Sequence, residues 1–363
     1  MTVADVIEPI SVRGHQILQR DIQSRGKYPV VSQSDNAVEG YTNAEIAITD
    51  VPLVLFGDHT CCLKYIQEPF VVGADGVRLL KSRDGDSEFL YYYLTTLIPS
   101  VEDGRYRRHY VSLTDLEINM PPKEVRGKIG CVLSVIDCKI ALNRKRIATL
   151  EAMAKEIYDY WFVQFDFPDA HGRPYKSSGG EMVYNPDLKR EIPKGWAIKT
   201  VGDIANVVTG KEDASFATDN GMYPFFTCSQ KVLKCDEYKF DGKNVLVAGN
   251  GEFCVKHYIG KCNAYQRTYV ISPSNVNYWG AVYIEAQRAI DRFKRCSSGS
   301  IVKFITMGDV RGLIVYCPAN IDLYDPINQC LEQIENQERE IVELSALRDF
   351  LLPVLMNGQV KVG

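Results

Sequence analysis

The sequence predicts an α+β chain in which two repeated globular parts are separated by two long antiparallel coiled-coil helices. Three observations carry this. The 363 residues contain an ordered internal repeat. Short β-branched runs and amphipathic helices mix without regular βαβ alternation. Two segments place apolar residues at alternating steps of three and four, the spacing of a coiled-coil seam. The expected divisions are residues 1–122 and 195–322 for the globular parts, 123–163 and 323–363 for the helices, and 164–194 for a linker.

In the repeat, Thr2-Val3-Ala4-Asp5-Val6 returns as Thr200-Val201-Gly202-Asp203-Ile204, and Gly26-Lys27-Tyr28-Pro29 returns as Gly221-Met222-Tyr223-Pro224. The strand-like run Leu53-Val54-Leu55-Phe56-Gly57-Asp58 matches Val245-Leu246-Val247-Ala248-Gly249-Asn250, with Cys62 and Lys64 answering Cys254 and Lys256. A further repeated strand is expected at 110–116 and 304–310, and helices at 89–97 and 278–289. Order and spacing persist across the chain, at offsets from 192 (Cys62 to Cys254) to 198 (Thr2 to Thr200).

After Pro121-Pro122, the first seam runs through Val125, Ile129, Val132, Ile136, Ile140, Ile147, Leu150, Ala154, Ile157 and Trp161, with Asn143 as its polar position. At 1.5 Å per residue this helix is about 60 Å long. Gly127 and Gly130 each weaken its first turns by about 1 kcal/mol relative to Ala. The second helix opens at Pro326 and carries Ile327, Cys330, Ile334, Ile341, Leu344 and Leu351, with Gln337 as its polar position. Mutual packing would let Asn143 and Gln337 fix the register; the alternative is that each helix serves only as core for its own globular part.

Composition narrows the function. No stretch approaches the apolar length of a membrane span, and Asp5 and Glu8 stand where a secretory leader would be basic and apolar. Eleven cysteines without a C-x-x-C pair suit reduced thiols in a cytoplasm. Net charge is −4, distributed as 11 Lys+Arg against 17 Asp+Glu in 1–122, 8 against 5 in 123–163, 15 against 12 in 195–322 and 3 against 7 in 323–363. No segment is basic enough to hold DNA through phosphates alone, so DNA binding would need a basic partner.

The run Leu133-Ser134-Val135-Ile136-Asp137-Cys138-Lys139-Ile140-Ala141-Leu142-Asn143, then Leu150-Glu151-Ala152-Met153-Ala154 and Trp161-Phe162-Val163-Gln164-Phe165-Asp166, resembles the central conserved region of type I restriction–modification specificity subunits. Gly172-Arg173-Pro174-Tyr175-Lys176, the phrase Glu191-Ile192-Pro193-Lys194-Gly195-Trp196 and the C-terminal Leu351-Leu352-Pro353-Val354-Leu355 share the resemblance; Met1 begins without that Ile-Pro-x-Gly-Trp lead. The resemblance implies a non-catalytic subunit whose two target-recognition domains each read half of a bipartite double-stranded DNA target. It implies helices that set the spacing and dock two adenine methyltransferase subunits, with two restriction subunits as further partners. No cofactor is expected in this chain; S-adenosylmethionine would sit in the methyltransferase, and ATP and Mg²⁺ in the restriction subunits. The helix-spacer and partner interface would comprise Ile136, Ile140, Asn143, Ile147, Leu150, Ile157, Trp161, Ile334, Gln337, Ile341, Leu344 and Leu351.

Direct readout needs polar side chains at base edges. The candidates are Gln33, Ser34, His59, Lys64 and the cluster Arg105, Arg107, Arg108 and His109, then Ser229, Gln230, Asn250, Lys256, Gln266, Arg267, Arg295, Ser297, Ser298 and Ser300. Each has a plainer reading as a solvated turn or strand edge, and Tyr28 and Tyr223 read as core rather than stacking platforms. Zinc is disfavoured because Cys228/Cys235 and Cys254/Cys262 lack ligand spacing. Asn119-Met120-Pro121-Pro122 is a misordered version of a methyltransferase tetrad, and neither a nuclease carboxylate cluster nor a Walker loop is present. A duplicated scaffold that binds only protein is the remaining alternative.

Overall fold

The computed structural model describes residues 1–73, 75–101, 107–296 and 304–359, with the side chains of 291 and 293–296 outside the description. Contacts divide the chain into two units, Met1–Leu142 with Ile341–Gly363, and Asn143–Glu340.

In the first unit, α1 (Val3–Val6) is opened by a capping box in which Asp5 accepts from the Thr2 N–H at 2.7 Å. The strands are β1 (Ile7–Ile10), β2 (Tyr28–Val31), β3 (Gly40–Thr42), β4 (Leu53–Gly57), β5 (Leu63–Ile66), β6 (Val71–Val72) and β7 (Val77–Ser82). An antiparallel sheet has the order β1-β7-β4-β5, and a small sheet has the order β3-β2-β6 with β2 and β6 parallel. Helices α2 (Ser87–Leu97), α3 (Tyr110–Thr114) and the first part of α4 (Lys123–Tyr158) complete the unit. β4 is an uninterrupted buried run because both of its faces are covered.

The second unit takes the rest of α4, a π-helical turn at Asp159–Val163 and a hairpin of β8 (Met182–Asn185) and β9 (Arg190–Pro193). Then come β10 (Ala197–Thr200), α5 (Val201–Ile204), β11 (Ala205–Thr209), β12 (Tyr223–Phe226), β13 (Leu233–Cys235), β14 (Lys243–Ala248), β15 (Val255–Ile259), β16 (Asn263–Ala264) and β17 (Thr268–Pro273). Helix α6 (Trp279–Cys296), α7 (Met307–Arg311), β18 (Ile314–Cys317) and α8 (Asp325–Met356) follow, and α8 returns to the first unit after Glu340. The sheets here are β11-β17-β14-β15 and β13-β12-β16, the same orders and pairing senses as in the first unit. The sequence repeat is therefore a repeat of topology. Gly26 and Gly221 show why it extends to glycine: a Cβ at either would collide with the backbone of the adjoining strand, at Thr42 and Cys235.

Two expectations need correction. The repeated strand at 110–116 and 304–310 is a short helix in both units, α3 and α7; at α7, Thr306 caps Asp309 N and Asp309 caps back. The seam also passes through Leu133, which is wholly buried, and not through Val132, which is exposed. Ile129, Leu133, Ile136, Ile140, Asn143, Ile147, Leu150, Ala154 and Ile157 thus keep a strict three-four alternation.

Both readings of the helices hold together. In the first unit, Ile129 and Leu133 of α4 share one apolar core with Leu355 and Met356 of α8 and with Phe89, Leu90 and Leu94 of α2. Asp137 accepts from Arg348 at 2.9 Å, so the two helix segments run antiparallel there. Gly130 permits the approach of α2, since a Cβ would lie 3.3 Å from Phe89 N. In the second unit, Ala154, Ile147 and Leu150 share a core with Ile327, Leu331 and Ile334. Asn143 does not pair with Gln337. Its Nδ2 donates to Glu340 at 2.8 Å, while Asn143 Oδ1 and Gln337 Oε1 are buried with no hydrogen-bond partner among the described residues.

Leu133→Ala should destabilise the protein by about 2–4 kcal/mol, as removal of a buried Leu does. Val132→Ala should change stability by no more than about 0.5 kcal/mol. Denaturant unfolding of both variants checks this, and equal effects would place the seam elsewhere.

Candidate nucleic-acid interface

The same four connections converge in each unit. In the first they follow β2, follow β4, precede β7 and precede α3. Gln33 spans three of them: its Nε2 donates to Asp75 O at 2.8 Å, its Oε1 accepts from His59 N at 3.2 Å, and its carbonyl accepts from Thr60 Oγ1 at 2.7 Å. His59 Nδ1 lies 3.2 Å from Arg107 O. Gly76 lets these loops meet, because it has φ +78° and a Cβ there would strike Gln33 Nε2 and His59.

Asp58, 1% exposed, is the node of this arrangement. One carboxylate oxygen accepts from Arg78 Nε and a terminal guanidinium nitrogen at 3.2 and 3.1 Å, and the other accepts from Tyr110 N at 2.9 Å. Its backbone donates to Gly76 O and accepts from His109 N. Sequence reasoning missed Asp58. Its signal was weak: an acidic residue ending a fully apolar strand, at the position matched by Asn250.

In the second unit the connections after β12, after β14 and before β17 meet the segment that leads into α7. Glu252 accepts from Gln230 N at 2.6 Å and donates its own N–H to Cys228 O. Gly249 N donates to Arg267 O, and Gly249 O accepts from Ile305 N. Asn250 bridges to Phe304.

The structure sorts the candidate contacts by exposure. Arg107, Arg108, Gln230, Gln266 and Arg267 are exposed on these loops, and Gln33, Ser34, His59, Ser229 and Asn250 are half-buried among them. His109 is a correction: at 2% exposure it sits under the start of α3 and cannot reach a base. Lys64 and Lys256 are also corrected, because both ammonium groups turn inward. Lys64 Nζ donates to Ser32 O at 2.8 Å and to Asn36 O, and Lys256 Nζ donates to Ser229 O. Ser34 Oγ donates to Glu39, so this hydroxyl already serves its own loop. Tyr28 and Tyr223 are half-buried and not core; Tyr28 donates to Glu45, and the Tyr223 ring lies 5.0 Å from Tyr238. Arg105, Ser297, Ser298 and Ser300 lie outside the described residues, as does the Arg295 side chain.

The described loop residues offer a polar surface. Two cavities, of about 330 and 690 Å³, lie against α6 near the π-helical turn and α4, away from the loops. Among the described residues no group of three His, Cys, Asp or Glu is placed to hold a metal ion. Burial pushes the Cys262 thiol up to about 12.

The model of the type I restriction modification DNA specificity domain matches residues 1–152 and 193–336. The chain is 33% identical over 181 residues to the type I restriction enzyme EcoDI specificity subunit of Escherichia coli, a match covering 47% of this chain and 40% of that protein. It is 26% identical over 323 residues to the MjaIX specificity subunit of Methanocaldococcus jannaschii, covering 79% and 72%. Among solved structures, the S subunit of a type I restriction–modification system from M. genitalium superposes with a TM-score of 0.66 at 16% identity, covering 98% of this chain and 95% of that one. That likeness extends the correspondence of fold across the chain.

Asp58→Ala would strand the Tyr110 N–H and the Arg78 guanidinium. A loss of about 1–3 kcal/mol in the first unit is expected, with faster amide exchange at Tyr110 and none at the loops of the second unit. Exchange unchanged at Tyr110 would remove Asp58 as the node.

Proposed function

This chain belongs to the type I restriction modification DNA specificity family, and we propose on that premise that it is the non-catalytic, sequence-reading subunit of a type I restriction–modification complex. Each unit reads one half of a split target in double-stranded DNA. Segments of α4 and α8 dock two methyltransferase subunits, which hold S-adenosylmethionine and methylate adenine. Restriction subunits, where they join, bring ATP and Mg²⁺. The cytoplasm is the compartment that suits free thiols and chromosomal DNA together.

The observation that carries this reading is the duplicated topology with its four converging loops. A duplicated reader suits two identical catalytic partners on a duplex. The loops present amide, hydroxyl, imidazole and guanidinium groups, the donors and acceptors that distinguish base pairs in a groove. The first unit's acidic balance fits a division of labour in which partner subunits supply much of the phosphate contact.

Single-molecule adenine-methylation mapping of host DNA, with and without the chain, tests the proposal. Loss of methylation at one split, asymmetric motif is the expected result; an unchanged pattern would favour a scaffold that binds only protein. Arg107→Ala with Arg108→Ala should weaken DNA binding of the assembled complex while leaving assembly intact. If both side chains meet phosphates, the slope of log affinity against log salt falls by about 2. Unchanged affinity removes the pair from the interface.

A further inference from the structure

We propose that Lys64 and Lys256 are positioning residues: each staples the base-reading loop of its own unit from within, and each thereby sets the sequence preference of one half-site only. The inference rests on the DNA-reading function proposed above, and deepens it.

The two lysines occupy one structural position twice. Lys64 on β5 stands opposite Leu55 of β4, and Lys256 on β15 stands opposite Leu246 of β14. Leu55 packs with Val31 at the end of β2, and Leu246 packs with Phe226 at the end of β12. Each lysine therefore rises from the main sheet toward the loop that leaves the small sheet. Lys64 Nζ bonds Ser32 O at the start of that loop and Asn36 O at its middle, and so ties its first half to β5. Lys256 Nζ bonds Ser229 O and lies 5.9 Å from the Phe226 ring centre.

A lysine gripping phosphate would carry its ammonium into solvent. These two do the reverse, and burial lowers the pKa of both. A carboxylate complements each staple. Glu39 accepts from Ser32 Oγ at 2.7 Å and from Ser34 Oγ, and Glu252 accepts from Gln230 N. The stapled residues differ between units, Gln33-Ser34-Asp35-Asn36 against Cys228-Ser229-Gln230-Lys231, and so do the carbonyls bonded, while the lysine occupies the same strand position in both. A constant frame with variable contents is what two readers of different sequences require. A loop ordered before it meets DNA loses less entropy on binding, and its donors stay where only the matching base edge completes them.

Lys64→Met and Lys256→Met keep the apolar stem and remove the cation. In the purified full chain, hydrogen exchange across 32–36 should quicken about tenfold in Lys64→Met with 227–231 unchanged, and the converse should hold for Lys256→Met. In methylation mapping, each Met variant should relax base preference in one half of the split motif and leave the other half intact. Lys→Arg at either position, which retains a donor, should preserve the motif. Unaltered exchange overturns the staple. Loss of methylation without relaxation, or an unrelaxed motif whose salt slope falls by about 1, overturns the positioning role in favour of plain instability or a phosphate contact. If the wild-type chain directs no split motif, the DNA-reading proposal fails, while the exchange measurement still decides the staple.

Discussion

Burial of one apolar stripe, in steps of three and four, governs how every other element is placed. In the first unit it runs through Ile129, Leu133, Ile136 and Ile140, and in the second through Ile147, Leu150 and Ala154. The stripe meets α8 segments on one side and the core of the unit on the other. Four polar residues of α4 and α8 lie along it. Asn143 and Gln337 bury oxygen atoms that have no partner among the described residues, and Arg348 meets Asp137 at the edge of the seam. Such groups cost stability in an apolar seam, but a shifted register would break the Asn143–Glu340 and Asp137–Arg348 bonds, so those pairs favour one alignment.

Polar contacts then bolt the helices of the first unit to one another and the main sheet of the second unit to α8. In the first, Asp137 accepts from both Tyr92 of α2 and Arg348 of α8, joining three helices through one carboxylate. Burial and that carboxylate push the Tyr92 hydroxyl well above its ordinary range. In the second, one face of α8 presents Glu332, Glu335 and Arg339 to Lys243, His257 and the Ile259 carbonyl of the β14–β15 hairpin. The His257–Glu335 pair is almost fully enclosed, so removing either partner would leave an uncompensated polar group. The sheet of the second unit is thereby held at a defined attitude to its own α8 segment, which a reader of fixed sequence needs.

Much of the organisation was legible before any coordinates. Asn143 and Gln337 marked the polar seam positions, and the repeated phrases at Thr2 and Thr200 fall on equivalent places in the two units. The candidate contacts Gln33, His59 and Arg107 do share one loop cluster, as do Ser229, Asn250 and Arg267. What was not legible was direction. Lys64, Lys256 and His109 stand at equally plausible places in the sequence, yet they turn inward to carbonyls or lie under a helix.

The sequence by itself determined the elements whose cause is local: the three-four spacing of α4 and α8 and the capping boxes. These follow from the helical period and from side-chain bonds three residues apart. Only the tertiary structure decided that Leu133 and not Val132 enters the seam, that 110–114 coils into a helix, and that Asp58 gathers three loops. Each of those outcomes depends on groups tens of residues apart competing for the same buried space or the same hydrogen bond, and a linear pattern carries no record of which one wins.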